Sequence, residues 1–375
     1  MNLFPNIEKV YTKDRLPARE AQRLAQFIAF GPIVFQASRL MLKFGILEAL
    51  RDNPLTIEEV AGKAGISIYA AKVLLEASLS IGTVIVDTET NKFSITKTGW
   101  FLLTDPSTRV NMDFNQDVNY EGFFHLEEAL KEGRPAGLDH FGPWPTIYEG
   151  LSSLPQQVQK SWFGFDHFYS DHSFLQALQI IFSFKPLRIM DVGGNTGRFA
   201  QRAVAYNEDV KVTIVDLPQQ IGLMRKAVAG MPGEERIDAR PMNVLEREND
   251  FPTDVNPDII WMSQFLDCFS EEEILSILSR VKKVMHPGAR LLIMETFWDR
   301  QKYEPASFCL TMTSLYFTAM ANGNSKMYHS DDMIRLVSED IADRVVLSKL
   351  DGKNNFLGGC ALIIQDNFYV KGGMQ

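Results

Sequence analysis

Cysteine and long apolar segments are scarce in this chain. Its three cysteines, Cys268, Cys309 and Cys360, have no metal-ligand spacing and cannot all pair with one another. They argue against a metal site and a disulfide framework, and they favour a reducing compartment. The apolar run at 27–35 is too short to span a bilayer and is broken by a Gly-Pro pair. No secretory signal pattern stands at the N-terminus, so we expect a cytoplasmic protein without a membrane partner.

Basic charge is also in short supply. The chain has 38 Lys and Arg against 47 Asp and Glu, which gives a formal net charge of −9. A general binder of nucleic acid or of anionic membranes carries a positive excess, so neither is an expected partner. With 375 residues and an apolar fraction of 45%, the chain is long enough to form two domains with full cores.

The most informative segment runs from 187 to 200 and reads LRIMDVGGNTGRFA. An apolar run of β-formers ends in Asp191, three glycines follow within five residues, and a helical pattern then begins. Glycines permit positive φ and let a ligand approach the backbone, while a helix N-terminus offers free N–H groups to an anion. The segment predicts the first strand–loop–helix unit of a nucleotide-type α/β domain.

A second apolar strand, at 212–215, is followed by another acid, Asp216. A carboxylate in this place can accept two hydrogen bonds from a ribose diol. The loop is not the dinucleotide fingerprint, because Val192 stands where the first glycine is needed and a pyrophosphate would be crowded. This disfavours a nicotinamide enzyme and favours a ligand with an adenosine and a small carboxylate, such as S-adenosylmethionine. An ordinary strand–turn–helix without a ligand is the plain alternative.

The N-terminal part follows the order helix, turn, helix, hairpin. Residues 18–50 are helical in composition, a capping box at Thr56 opens a short helix, and a second helix is expected at 68–80. Two short strands, at 84–86 and 93–96, complete the order that is typical of a winged helix.

A winged helix can bind DNA, or it can serve as a dimerisation element. The helix at 68–80 carries one lysine and one glutamate, and basic residues do not outnumber acidic ones between 36 and 105. A recognition helix presents several basic or amide side chains, so dimerisation is the preferred reading. A DNA-binding regulator that senses the cofactor is the alternative, and it requires salt-dependent affinity for duplex DNA.

From residue 187 onward, strands alternate with helices, and a capping box at Ser270 opens a helix that ends at Val284. Further strands are expected at 237–241, 258–262 and 290–295, with a closing antiparallel hairpin at 345–350 and 360–364. This pattern predicts an open, mostly parallel sheet whose ligand lies beyond the carboxyl ends of the strands.

The region between the two parts, 106–170, is rich in aromatic side chains, among them Phe165, Phe168 and Tyr169. A helix–helix core is the simple explanation of such a cluster. The functional one is a wall for a flat apolar substrate.

With these segments placed, the chain resembles the S-adenosylmethionine-dependent O-methyltransferases of the acetylserotonin and plant caffeate type. The likeness is carried by DVGGNTG at 191–197, VDLP at 215–218, and the segments 165–173 and 263–273. It implies an α/β protein with a Rossmann-like class I methyltransferase domain. In this reading residues 1–110 form an all-α/winged-helix dimerisation domain, and 111–375 form connector helices and the methyltransferase domain. A homodimer is implied.

The resemblance also implies cofactor residues by position. The glycine loop would lie under the methionine portion, Asp216 would bind the ribose, and Asn243 would flank the adenine where an aspartate is usual. The full implied set is Ser173, Asp191, Gly193, Gly194, Asn195, Gly197, Asp216, Leu217, Asn243, Val244, Ser263 and Gln264.

The catalytic position departs from the family pattern. The family places a histidine there as general base, and Asp267 stands in that position here. Glu295 matches the glutamate that steadies the histidine, whereas Met327 stands where a second glutamate is usual. His329, close in sequence, is an alternative candidate for the base.

A carboxylate with a pKa near ~4 is a poor base for a phenol with a pKa near ~10. Burial beside Glu295 would raise the pKa of Asp267, and the two carboxyl groups would then share a proton. Alternatively no strong base is needed, because the sulfonium methyl is already activated and alignment supplies much of the rate. A helix-flanking Asp267 without a catalytic role is the remaining interpretation.

The predicted function is transfer of a methyl group from S-adenosylmethionine to a small aromatic or conjugated acceptor, at a hydroxyl. Phe165, Phe168 and Tyr169 are the expected substrate wall. The alternative is a cofactor-binding homologue that methylates carbon or nitrogen, or performs no methyl transfer, because the usual histidine is absent.

Overall fold

The computed structural model describes residues 3–340, 345–349 and 361–366. The chain divides into two compact units, one of residues 13–115 and the other of residues 1–12 with 116–375. The first helix, α1 (Pro5–Tyr11), packs in the second unit, where the Tyr11 hydroxyl donates to Ser307 Oγ over 3.2 Å. The sequence alone had placed this segment with the N-terminal domain, because nothing in its composition reveals so distant a partner.

The unit 13–115 contains helices and one two-stranded sheet. Its helices are α2 (Ala18–Ala29), α3 (Gly31–Lys43), α4 (Ile46–Asp52), α5 (Ile57–Ala64), α6 (Ile68–Ile81), α7 (Lys97–Thr104) and α8 (Pro106–Phe114), and its strands are β1 (Val84–Asp87) and β2 (Lys92–Ile95).

Local capping explains where α5 and α6 begin. Thr56 Oγ1 accepts from the Glu59 N–H, and the Glu59 carboxylate accepts from the Thr56 N–H, which completes the expected capping box. Ser67 caps α6 in the same way by accepting from the Ala70 N–H. The predicted order of helix, turn, helix and hairpin is present.

Helix α2 has no buried residue within the chain. Its apolar side chains Leu24, Phe27 and Ile28 are exposed, as is Ile33 at the start of α3. Such an exposed apolar face is typical of an interaction site.

No single helix in the described ranges is long and apolar enough to cross a membrane. Two bent helix pairs, α2 with α3 and α5 with α6, meet the length and composition requirement only when taken together.

The second unit begins with connecting helices and continues as an alternating α/β domain. Its helices are α9 (Leu126–Glu132), α10 (Ile147–Gly150), α11 (Gln156–Ser170), α12 (Phe174–Ser183), α13 (Arg198–Tyr206), α14 (Pro218–Val228), α15 (Glu271–Val284), α16 (Glu304–Tyr316) and α17 (Ser330–Asp340). Its strands are β3 (Arg188–Val192), β4 (Lys211–Asp216), β5 (Ile237–Pro241), β6 (Ile259–Ser263), β7 (Arg290–Glu295), β8 (Val345–Lys349) and β9 (Ala361–Asp366).

Among the described residues, the strands of this unit form one seven-stranded sheet in the order β5-β4-β3-β6-β7-β9-β8. The strands β5, β4, β3, β6 and β7 are parallel, and β9 runs antiparallel to both β7 and β8. The predicted mostly parallel sheet and the closing hairpin are both confirmed; the turn of the hairpin, at 350–360, lies outside the described residues.

The parallel strands are buried on both faces, as their continuous apolar runs indicate. Ile189 belongs to a core under α12, α13 and α14, whereas its neighbour Met190 belongs to a core under α15 and α17. Because successive side chains point to opposite faces, one apolar run supplies both cores. The helices thereby cover the faces, and the carboxyl ends of the strands stay accessible.

The strand order reverses at β3, whose neighbours are β4 and β6. In open parallel sheets, the crevice at such a switch point is where ligands bind. The segments that follow β3, β4 and β6 are therefore the ones that build the site.

Candidate active site

The backbone of the loop after β3 adopts conformations that favour glycine. Gly193 has φ 75°, Asn195 has φ 49° and Gly197 has φ 79°, all in the left-handed region. A Cβ added to Gly193 would overlap the ring of Phe265, and one added to Gly194 would lie 2.8 Å from Asp191 Oδ2. A side chain at Gly193 or Gly194 would therefore clash with the residues that pack against the loop.

Asp216, at the end of β4, is tied to this loop. Its Oδ2 accepts from the Asn195 N–H over 2.8 Å, and its Oδ1 accepts from the Leu217 N–H over 2.7 Å. Burial raises the pKa of Asp216 to about 6, against the two backbone N–H groups that lower it. The carboxylate is therefore held in one orientation at the start of α14.

Asp191 lies beside Asp216 at the end of β3. Burial, and next the negative charge of Asp216, raise the pKa of Asp191 to about 8. Its Oδ2 has no hydrogen-bond partner among the described residues, although the side chain is buried. A buried carboxyl oxygen without a protein partner is available to a ligand in the adjoining cavity.

These segments enclose a cavity at the carboxyl ends of β3, β4 and β6. The predicted residues that line it are Phe165, Tyr169, Asp191, Gly193, Gly194, Asn195, Asp216, Leu217, Asn243, Val244, Ser263, Gln264 and Asp267. The structure thus places around one cavity predicted residues that are more than one hundred positions apart.

Further unsatisfied polar groups line the same cavity. The Ser263 hydroxyl and both amide atoms of Gln220 have no partner among the described residues. Together with Asp191 and Asp216, they offer donors and acceptors to a ligand with several hydroxyl and amino groups. These residues fit S-adenosylmethionine, the cofactor that the sequence predicts.

Asn243 and Val244 follow β5. The Asn243 side chain accepts from the Leu245 N–H over 3.0 Å, which shapes the turn. The carbonyl of Val244 accepts from the buried guanidinium of Arg280, which also donates to the Asn249 carbonyl over 2.8 Å. The turn is thereby fixed against α15.

The other end of the cavity contains Asp267, in a short turn (Leu266–Cys268) after β6. Burial raises the pKa of Asp267 to about 6. Glu295, at the end of β7, is 1% exposed and does not line the cavity; its Oε1 accepts from the Phe265 and Leu266 N–H groups over 3.1 and 2.9 Å. Glu295 therefore supports the turn that contains Asp267.

The two carboxyl groups interact. Burial, and next the charge of Asp267, raise the pKa of Glu295 well above its usual range. Glu295 Oε2 is buried and has no partner among the described residues. Since two adjacent buried carboxyls cannot both be ionised at low cost, the raised pKa of Glu295 favours its protonated form beside an Asp267 that can ionise.

Aromatic and sulfur side chains surround Asp267. Trp162 Nε1 donates to the Tyr316 hydroxyl over 2.7 Å, and Phe269 packs edge-to-face on Phe265. Met327 also lines the cavity, and its sulfur accepts from the Thr296 hydroxyl over 3.7 Å. A flat apolar molecule fits this end of the cavity.

His329 does not line the cavity. Its Nδ1 accepts from the Asp331 N–H over 3.0 Å, and its Nε2 lies 3.7 Å from Asp299 Oδ2. The imidazole ring of His329, just before α17, packs edge-to-face on Trp298. The prediction that His329 could act as the base gains no support from this position.

Three other predicted residues also lie behind the cavity wall. Phe168 packs edge-to-face on Tyr169, and Ser173 is buried just before α12. Gly197 permits close packing of α14, since a Cβ there would lie 2.9 Å from Met224 Cγ. Their positions indicate that they shape the wall.

Three residues that line the cavity were not among the predicted site residues: Asp166, Arg198 and Gln220. Asp166 follows the predicted Phe165 directly, and Arg198 follows the glycine loop, so both stood next to a visible signal. Gln220 had no such signal, because a glutamine in the first turn of a helix is ordinary.

Comparison with known proteins assigns both parts of the chain. Residues 22–93 match the Dimerisation2-like domain, and residues 123–338 match the O-methyltransferase domain. The second match covers more than half of the chain.

Similar proteins include enzymes that methylate different atoms. The chain is 23% identical to human acetylserotonin O-methyltransferase over 320 residues, which are 79% of this chain and 85% of that protein. It is 22% identical to the L-tyrosine C(3)-methyltransferase of Streptomyces lavendulae over 307 residues, which are 80% and 81% of the two chains.

A solved structure shares the fold. The apo form of the S-adenosylmethionine-dependent methyltransferase SibL superposes with a TM-score of 0.68 at 22% identity, covering 91% of this chain and 98% of that one. The strand order, the glycine loop with its paired acids and the matched domain agree, and the chain belongs to the O-methyltransferase domain family as an S-adenosylmethionine-dependent methyltransferase.

Proposed function

We propose that this enzyme methylates a hydroxyl group on a small aromatic acceptor and that the Asp267–Glu295 pair takes up the hydroxyl proton. The observation that carries the proposal is the position of Asp267, buried in the cavity wall and backed by Glu295. Relatives of the chain act on acceptors with this chemistry, among them acetylserotonin.

The cofactor residues are proposed from the cavity lining. Asp216 would accept hydrogen bonds from the ribose diol, and Asn243 and Val244 would flank the adenine. Asp191, Ser263 and the glycine loop would hold the methionine portion. Ser173 and Gly197 would act on the cofactor only through the residues that they position.

In the reaction, S-adenosylmethionine supplies a methyl group that is activated by its bond to a sulfonium. The carbon–sulfur bond breaks as the carbon–oxygen bond forms, which yields a methyl ether and the demethylated cofactor. Asp267 is within the cavity and accepts the hydroxyl proton, while Glu295, already protonated, leaves Asp267 as the ionised member of the pair. Phe165 and Tyr169 keep the acceptor aligned and water excluded.

Methylation of carbon is the second candidate, because one similar protein is a C(3)-methyltransferase of L-tyrosine. An aromatic carbon next to a hydroxyl also becomes nucleophilic when that hydroxyl loses its proton. The same carboxyl pair would serve this reaction, so the product decides between the two.

The test is incubation with S-adenosylmethionine and a panel of uncharged phenols, followed by mass spectrometry and NMR of the product. We expect the enzyme to turn over and to form a methyl ether as the product. Binding of the cofactor with no methylated product from any phenol would contradict the proposal, whereas a ring-methylated product would favour the second candidate.

Asp216→Asn is expected to weaken binding of S-adenosylmethionine by roughly 10–100-fold, because charge-assisted hydrogen bonds are lost. Isothermal titration of the demethylated cofactor measures this. Asp238→Asn, which changes an exposed acid on the neighbouring strand β5, is the matched control and should leave binding unchanged. Equal affinity of the two variants would contradict the role of Asp216.

Cofactor affinity is expected to rise with pH. The pKa values of Asp216 and Asp191, about 6 and about 8, are raised above those of exposed acids. The folded protein without cofactor therefore holds more protons than the unfolded chain, and its stability falls as pH rises from about 4 to about 8. Binding uses the ionised carboxylates, so affinity should increase ~10-fold between pH 6.5 and 8.

Titration calorimetry at the two pH values measures this change, and the cofactor should raise the melting temperature more at pH 8 than at pH 6.5. Asp191→Asn should flatten the dependence. An affinity that is constant or falls with pH would contradict this prediction.

A homodimer is the proposed assembly. The support is the exposed apolar face of α2, with Leu24, Phe27 and Ile28, within the segment that matches the Dimerisation2-like domain. A second copy of the chain would cover this face.

A further inference from the structure

The acceptor end of the cavity is acidic and has no free cation among the described residues. Arg198 lines the cavity but forms an ion pair with Asp171 over 2.7 Å. His167 also lines it, yet burial lowers the pKa of His167 to about 4, so the ring is neutral at neutral pH. Asp166 and Asp267 also line this space; the charge of Arg198 reaches Asp166, but its guanidinium is already paired with Asp171.

Asp166 stands on α11 and retains 30% of its side-chain exposure, on the side that lines the cavity. Its Oδ2 accepts from the Asn195 side chain over 3.1 Å. The nearest basic group, His167 Nε2, lies 4.0 Å away and is neutral. Burial, and next the charge of Asp267, raise the pKa of Asp166 to about 7.

Asp166 lies at the end of the cavity that is proposed to bind the acceptor. It is close enough to Asp267 and to Tyr316 for its charge to act on both. The methionine end of the cofactor has its own carboxyl, Asp191, whose Oδ2 is unsatisfied. Asp166 is thus the carboxyl at this end of the cavity that is available to a cation on the acceptor.

The surroundings suit an aromatic cation. Tyr148, Trp162 and Phe317 line the same end of the cavity, and aromatic faces attract cations as well as flat rings. An acceptor carboxylate would instead be desolvated opposite Asp166 and Asp267, where like charges repel.

We propose that Asp166 is the counter-ion for a protonated amine on the acceptor, so that the enzyme selects hydroxylated aromatic amines and rejects phenols that carry a carboxylate. This inference rests on the proposed function, since it assigns the acceptor class of the same site. It identifies Asp166 as a specificity-determining residue.

The test compares three phenols of similar size that differ in charge: tyramine, 4-ethylphenol and 3-(4-hydroxyphenyl)propionate. Their binding is measured by titration calorimetry in the presence of the demethylated cofactor, and their turnover with S-adenosylmethionine. We expect tyramine to bind at least ~10-fold more tightly than 4-ethylphenol, and the carboxylate at least ~10-fold more weakly.

Asp166→Asn should remove the preference for tyramine over 4-ethylphenol. Asp209→Asn, at an exposed acid just before the amino end of β4 and outside the cavity lining, should keep the wild-type preference. The wild-type comparison needs no variant, so it stands even if Asp166→Asn folds poorly.

Equal binding of the three phenols, tighter binding of the carboxylate, or no binding of tyramine would overturn the inference. So would an Asp166→Asn variant that loses cofactor affinity but keeps the amine preference, because the cation would then belong to the cofactor. Amine-selective binding without any methylated product would instead count against the proposed function and leave the charge selection intact.

Discussion

Asp267→Asn is expected to lower kcat by 10²–10⁴-fold, roughly the contribution of a positioned general base. The amide cannot take up the proton of the acceptor hydroxyl. It has nearly the same size as the carboxyl, and the turn that contains it is held by Glu295 through two backbone N–H groups. The affinity for S-adenosylmethionine should therefore stay within ~3-fold of wild type, since the effect is confined to a proton transfer.

The pH profile separates a base from a structural acid. Burial raises the pKa of Asp267 to about 6, so the wild-type rate should rise through that region and level off above it. The residual rate of Asp267→Asn should lack this rise. Asp250→Asn, at an exposed acid paired with Lys283, is the control and should behave as wild type.

Glu295→Gln probes the second half of the pair. The Glu295 side chain lowers the pKa of Asp267, so weakening this interaction by the substitution should shift the rise of the rate to higher pH. If Asp267→Asn retains full activity at every pH, methyl transfer depends on alignment alone and the carboxyl pair is not the base.

Gly193→Ala is expected to abolish measurable cofactor binding. The new methyl group would overlap the Phe265 ring, which is adjacent to the turn containing Asp267. The residue would also keep φ 75°, a left-handed conformation that costs a non-glycine residue roughly 1–2 kcal/mol. Both effects act on the loop that the ligand has to approach.

Gly222→Ala is the matched control, because Gly222 lies in α14 with open space around its Cα and no unusual φ. It should bind the cofactor as wild type does and gain a little stability from better helix propensity. Calorimetry measures binding and thermal unfolding measures stability. Wild-type affinity in Gly193→Ala would show that the ligand does not use this loop.

The sheet could be predicted from the sequence because its strands are continuous apolar runs. Ile237–Pro241 and Arg290–Glu295 have the predicted bounds, and β4 and β6 differ from the prediction by one residue at one or both ends. Glycine and acidic residues at the ends of the strands indicated which edge of the sheet binds the cofactor. Periodicity and turn chemistry are local, so a single segment reveals them.

The acceptor side could not be predicted as a unit. Tyr148, Asp166, Asp267 and Tyr316 come from four separate elements and meet only in the folded chain. Asp166 lies in the aromatic-rich region 106–170, where a single acidic residue is most simply interpreted as solvent-exposed. His329 shows the converse, since a histidine near a family motif in sequence lies outside the cavity in space.

The pairing of β9 with β7 has a consequence for how the enzyme matures. Glu295 ends β7, and the backbone of residue 361 in β9 lies opposite it in the antiparallel register. During synthesis β9 leaves the ribosome well after β7, so until then β7 is an open edge with unpaired backbone groups. A nascent chain that already contains the glycine loop, Asp191, Asp216 and Asp267 consequently still lacks the strand that covers the edge of β7.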